Sequence, residues 1–186
     1  MPGNLVVVAG PSGVGKSTIV RAAVKRDPGV WLSVSATTRE PRPGEQDGQD
    51  YVFLCQSDFQ ALRDAGGLLE WAQYSGNLYG TPKAAAADHL SAGRHVLLEI
   101  DIQGARQVKS AVPTCSTVFI APPSWQVLKD RLTSRGTEDA AAMQVRLATA
   151  EQEMAAINEF DQVIVNADID DACAQLLAWI QEPHPQ

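Results

Sequence analysis

Gly10-Pro11-Ser12-Gly13-Val14-Gly15-Lys16-Ser17 is a complete G-x-x-x-x-G-K-[ST] run, followed by Thr18. Glycines at these spacings let several backbone N–H groups turn inward onto one anion. A helix starting at the lysine adds partial positive charge at the same point. Lys16 reaches the β- and γ-phosphates of a nucleoside triphosphate, and the Ser17 hydroxyl is placed to ligate Mg²⁺. A glycine-rich turn that binds nothing is the alternative. It is disfavoured because the apolar run Leu5-Val6-Val7-Val8-Ala9 precedes the motif and a helical pattern follows it, the context a phosphate loop requires.

A second group of residues has the makings of another phosphate site: Arg39, Arg42, Tyr51 and Tyr79 combine guanidinium forks with phenol donors. Taken singly, the two arginines would read as solvated loop charges. Glu70 lies inside the apolar run Leu68-Leu69-Glu70-Trp71-Ala72, where a charge is costly unless partnered. A carboxylate held there can accept two parallel N–H bonds, which guanine offers at N1 and its exocyclic amine and adenine does not. The hydroxyls of Ser35 and Thr81 can donate to purine O6 and N7.

Apolar runs at 5–9, 32–35, 95–100, 116–120 and 162–165 read as strands. Val6-Val7-Val8, Val96-Leu97-Leu98 and Val118-Phe119-Ile120 are nearly continuous, as strands covered on both faces should be. Helical patterns lie between them: 16–26, a helix opened by Thr81 as N-cap with Pro82 as its first residue and running to 92, 103–111, a helix capped by Ser124 and running to 135, 139–159, and 169–181. This alternation predicts an α/β fold, a parallel five-stranded sheet flanked by helices. Residues 37–80 break the rhythm. They are too many for a loop, so they predict an inserted α+β subdomain with strand-like pieces at 51–53 and 68–74 around a helix capped by Ser57. Residues 134–142 form a polar hinge. The division is therefore a core of 1–36, 81–133 and 143–186, the insert 37–80 and a lid 134–142, with the tail 182–186 expected to be disordered. Tyr74, Trp31, Trp71, Trp125 and Trp179 are assigned to packing.

The 186 residues fit one domain, and 45% hydrophobic content allows a real core. A net charge of −7 disfavours general binding to nucleic acid or anionic membrane, so any bound phosphate must meet a local cluster of Arg and Lys. Cys55, Cys115 and Cys173 lack disulfide or zinc spacing and are expected to be reduced and buried; His89, His95 and His184 do not cluster. No apolar run approaches a membrane span and no basic leader precedes the first strand, so a soluble cytoplasmic protein is expected.

Longer motifs carry a family resemblance. The run from Ser33-Val34-Ser35 through Thr38-Arg39-Glu40-Pro41-Arg42-Pro43-Gly44-Glu45, and Gly48-Gln49-Asp50-Tyr51-Val52-Phe53, resemble guanylate kinases. So do Glu70-Trp71-Ala72-Gln73-Tyr74-Ser75-Gly76-Asn77-Leu78-Tyr79-Gly80-Thr81 and Ile100-Asp101-Ile102-Gln103-Gly104. Phe119-Ile120-Ala121-Pro122-Pro123-Ser124, Arg135-Gly136 and Val163-Ile164-Val165-Asn166 match as well, so the similarity runs in order along essentially the whole chain. The resemblance implies transfer of the ATP γ-phosphate to GMP, giving ADP and GDP in purine nucleotide metabolism, with Mg²⁺ as cofactor. It implies that Ser35, Glu70, Thr81 and Asp101 read the guanine, that Arg39, Arg42, Tyr51 and Tyr79 hold the GMP phosphate, and that Gly10 to Thr18 hold ATP. Arg131, Arg135 and Arg146 match lid-region arginines that approach the transferring phosphoryl group, and Asn166 matches a position near the adenine. The strand end that often reads Asp-Ile-Asp in this family is Glu99-Ile100-Asp101 here, which puts in doubt how Glu99 would order Mg²⁺ through water. A relative acting on ribose 1,5-bisphosphate would have no guanine for Glu70 to read. A peptide-binding module of the same fold would typically have lost the intact Lys16 and Ser17. The partners implied are ATP and GMP, with dGMP use and the choice between monomer and homo-oligomer left open.

Overall fold

The structure, a computed structural model, describes residues 3–133 and 140–183. Five parallel strands form the main sheet: β1 (Leu5–Ala9), β2 (Val30–Leu32), β7 (His95–Glu99), β8 (Ser116–Ala121) and β9 (Gln162–Val165), in the spatial order β2-β7-β1-β8-β9. Val6 pairs with Leu97 on one side and Ser116 on the other, so β1 is central. Side chains alternate along it. Val6 and Val8 pack with Ile19, Leu128, Leu132, Leu176 and Ile180, which belong to α1 (Lys16–Arg26), α5 (Trp125–Thr133) and α7 (Ile169–Gln181). Val7 and Ala9 pack with Ala86, Ile102, Ala105 and Val108, from α3 (Lys83–Ser91) and α4 (Ile102–Ala111). Both faces are covered, which is why this strand reads as an unbroken apolar run. The chain leaves the C-terminal end of β1 at the point where strand order diverges to either side, the usual ligand crevice of such sheets.

A second sheet has the order β4-β3-β6-β5, from β3 (Ala36–Thr37), β4 (Val52–Phe53), β5 (Leu68–Tyr74) and β6 (Asn77–Pro82). β3 runs parallel to β4 and antiparallel to β6, and β5 is antiparallel to β6 with a register irregularity between Leu68 and Trp71. Its own small core is Ala36, Leu78 and fully buried Phe59, the last supplied by α2 (Gln56–Asp64). The remaining helix α6 (Ala140–Ala155) is followed by a short 3-10 turn at Ile157–Glu159.

Several local expectations are corrected. The strand expected at 32–35 splits: Val30–Leu32 stays in the main sheet and Ala36–Thr37 joins the second. Thr81 does not cap a helix. It lies in β6 just before the strand's last residue, its hydroxyl donates to Glu70, and Pro82 is the N-cap of α3. Cys55, not Ser57, is the N-cap of α2, and the two side chains meet at 2.9 Å. The helix expected over 139–159 ends at Ala155. Tyr74 is not in the core but 73% exposed beside the hairpin turn at Ser75-Gly76; Trp71 and Trp125 are partly exposed. Cys115 and Cys173 are buried as expected, whereas Cys55 is exposed. Arg135, the lid residues 134–139 and tail residues 184–186 lie outside the described residues.

Candidate functional site

The phosphate loop spans the β1–α1 junction. Gly10 (φ 146°) passes so close to β8 that a Cβ would sit 2.3 Å from the Ile120 carbonyl oxygen. Gly15 is the N-cap of α1 in the left-handed region (φ 97°), and a Cβ there would meet Asn166 Nδ2 at 2.6 Å. Only glycine fits either place. Val14, fully buried, anchors the loop. Its carbonyl accepts from Asn166 Nδ2 (2.7 Å) and Arg131 Nη1 (3.2 Å), and Arg131 Nη2 reaches the Asn166 carbonyl at 3.3 Å. Asn166 and Arg131 are thus brought to the loop, and Arg131 does not simply make a surface pair along its own helix.

Lys16 Nζ donates to the carbonyls of Gly10 and Pro11. Burial pushes its ammonium below the usual lysine range, opposed by the negative charges of Glu153, Glu99 and Asp101. Ser17 Oγ donates to Glu99 Oε1 at 2.5 Å, so the extra methylene of Glu99 does not prevent it from reaching the loop hydroxyl. Ser12 N–H, at the loop tip, donates to Glu153 Oε2 at 3.0 Å. Beside the loop opens a cleft of about 620 Å³ whose walls include Gly13, Gly15, Thr18, Arg131, Asn166 and Asp168. The buried Asn166 Oδ1 has no hydrogen-bond partner among the described residues.

The second cluster spans the smaller sheet. Arg39 is gripped end-on by Glu45 (2.9 and 3.0 Å) and lies 5.3 Å from the Tyr51 ring centre. Tyr51 and Tyr79 meet edge-on at 6.1 Å. Glu45 also accepts from the Arg42 N–H at 2.7 Å and, held mainly by the Arg39 guanidinium, stays ionised below the usual carboxylate range. The Arg42 side chain is exposed, and Ser35 is half-buried with its carbonyl accepting from Val52.

Glu70 is buried, and its Oε1 accepts from Thr81 Oγ1 at 2.7 Å. Burial raises its pKa, with the nearby Asp101 charge adding to the rise. Asp101 caps α4 by accepting from the Gly104 N–H at 2.7 Å, and a Cβ on Gly104 would stand 3.0 Å from Glu70 Oε2. Asp101 therefore acts electrostatically on both Glu70 and Lys16, linking the two clusters. Arg146 is half-buried on α6.

Three contributors escaped the sequence reading. Glu45 carries a weak signal, as an acid within the arginine-rich 39–45 stretch. Gln107 grips the Trp71 backbone at the strand irregularity, accepting from its N–H (3.2 Å) and donating to its carbonyl (3.0 Å). Glu153 lies 141 residues from Ser12, and no local pattern joins them.

A guanylate kinase family model matches residues 2–183. The chain is 52% identical over 185 residues to the guanylate kinase of Thermobifida fusca, covering 100% of this chain and 94% of that protein. It is 55% identical over 175 residues to the guanylate kinase of Streptomyces coelicolor, covering 94% and 89% respectively. Among solved structures, a guanylate kinase from Anaplasma phagocytophilum superposes with a TM-score of 0.77 at 31% identity, over 97% of this chain and 85% of that one.

Proposed function

The chain belongs to the guanylate kinase family and is an ATP:GMP phosphotransferase, and from that premise we propose how its residues divide the work. The phosphate loop from Gly10 to Thr18 holds the triphosphate of ATP, with Lys16 neutralising charge on the oxygens around the transferred phosphorus. Asn166, whose Oδ1 lacks a partner among the described residues, accepts from the adenine amine. Arg39, Arg42, Tyr51 and Tyr79 hold the GMP phosphate. Glu70 and Asp101 accept the N–H groups of guanine, and Ser35 and Thr81 contact its acceptors. A GMP phosphate oxygen then attacks the γ-phosphorus in line, and no protein nucleophile is needed. Arg131 and Arg146, with Arg135 from outside the described residues, approach the transferring group.

The pair Ser17 Oγ and Glu99 Oε1 is a hard-oxygen set beside the loop and fits Mg²⁺, which takes few protein ligands and keeps water and substrate phosphates. Ser17 would bind it directly and Glu99 through water, and the ion would supply further charge neutralisation on the phosphates. The core of 1–36, 81–133 and 143–186 carries the donor, the insert 37–80 the acceptor, and 134–142 the lid. No helix among the described residues is long and apolar enough to cross a membrane; a cytoplasmic setting is part of the proposal.

The observation that carries the specificity is the buried Glu70 carboxylate, bonded to Thr81 with Asp101 beside it. A coupled assay with ATP, Mg²⁺ and GMP, AMP or UMP tests it. GMP should be turned over in strong preference; comparable turnover of AMP would overturn the assignment.

A further inference from the structure

Glu153 stands on α6, the helix that follows residues 134–139 and also carries Arg146. Its Oε2 accepts from the Ser12 N–H at the tip of the phosphate loop at 3.0 Å. Among the negative charges acting on Lys16, that of Glu153 is the strongest. The carboxylate thus takes one backbone amide of the loop directly and acts through its charge on the lysine ammonium, and backbone amides and a lysine are the means by which a phosphate loop recognises its ligand. A carboxylate and a phosphate oxygen cannot both take the same N–H without a clash of like charge.

We propose that Glu153 is an internal competitor of the donor phosphates, which ATP displaces from the Ser12 amide on binding. The inference rests on the reading of Gly10 to Thr18 as the donor loop. Displacement frees a carboxylate on the helix that carries Arg146, so loading of the loop and the position of α6 become linked. An acid in this place raises the threshold for an anion to settle in the loop. Only a ligand that offers several oxygens to the loop at once, as a triphosphate does, outbids it.

Calorimetric titration of ATP with Mg²⁺ into the full chain tests this, using wild type, Glu153→Gln and Glu153→Ala, with GMP titrated in parallel. Both variants should bind ATP more tightly, by roughly tenfold for a charge-assisted bond that no longer competes. GMP affinity should not change. If Glu153 is instead a strut for the loop, Glu153→Gln, which keeps an acceptor oxygen, will match wild type and Glu153→Ala will bind ATP more weakly. That pattern, or unchanged ATP affinity in both, overturns the proposal. Lys16→Ala separates the two levels. Lost ATP binding there beside unchanged binding in the Glu153 variants removes the competitor alone. Retained ATP binding in Lys16→Ala removes the donor-loop reading and the proposal with it.

Discussion

A carboxylate buried under Thr81 with Asp101 at its side is disfavoured as an anion, and this sets the behaviour of Glu70. Its raised folded-state pKa means that its contribution to folding stability is fully present below the unfolded-state pKa and is lost as pH rises through the folded value. Ionising the side chain therefore costs stability. Glu70→Gln should relieve that cost, since the amide oxygen still accepts from Thr81; a gain of about 1 kcal/mol, roughly 2–4 °C in melting temperature, is expected and readable by calorimetry. The same variant should lose GMP-over-AMP selectivity, because an amide presents one acceptor oxygen and one donor and cannot take two parallel N–H bonds side by side. In the role proposed for Glu70 the ionised form accepts from guanine, so KM for GMP should climb as pH falls through the raised pKa of Glu70. That acid limb should be absent in Glu70→Gln. Lys16→Ala should abolish transfer while leaving GMP binding largely intact, as single-turnover and binding measurements would show.

At the scale of elements, α4 organises the proposed guanine side. Its N-cap Asp101 and its first-turn Gly104 sit against Glu70, and on the next turn Gln107 holds the Trp71 backbone. The helix belongs to the main sheet's covering layer and the strand to the smaller sheet, so these contacts register one unit on the other. Gly104→Ala would place a Cβ 3.0 Å from Glu70 Oε2 and 3.3 Å from its Cδ, closer than ordinary contact. The Glu70 side chain must give way. KM for GMP should rise several-fold with KM for ATP unchanged, and steady-state kinetics with each substrate varied would check it. The loop after β1 is organised by comparable means, Asn166 and Arg131 both tying down the Val14 carbonyl.

For the whole molecule, the second sheet has a small hydrophobic core of its own, while Leu69 of β5 packs into the much larger core of the main sheet. The main sheet is buried on both faces, whereas the second depends on Phe59, Ala36 and Leu78 with a few half-buried neighbours. Loss of one large side chain is felt most where the core is small. Phe59→Ala should cost about 3–5 kcal/mol locally. Because the proposed donor loop is anchored in the larger core through Val14, the predicted outcome is selective: GMP binding lost or much weakened, ATP binding kept, as paired titrations would show. Equal loss of both would mean that the units share one cooperative core.

Strand and helix order, and the phosphate loop between β1 and α1, were determined by the sequence itself. Unbroken apolar runs and a glycine-rich turn before a lysine are local patterns with local physical causes. The second sheet was only half legible. Val52–Phe53 and Leu68–Tyr74 could be read, but Ala36–Thr37 and Asn77–Pro82 could not, because two-residue pairing and a strand containing glycine and proline are stabilised by their partners. Thr81-Pro82 has the local look of a helix start, yet the buried Glu70 carboxylate needs that hydroxyl, and the tertiary bond prevails. Tyr74, assigned to packing because no motif gives it another role, is exposed because the hairpin turn carries it away from any layer. Gln107 on Trp71 and Glu153 on the Ser12 amide were decided by tertiary structure alone, whereas Glu45 on Arg39 has a weak local signal. Charge and hydrogen-bond complementarity act through space, and a chain that brings residues 12 and 153 within 3.0 Å leaves no trace of that meeting in the spacing along it.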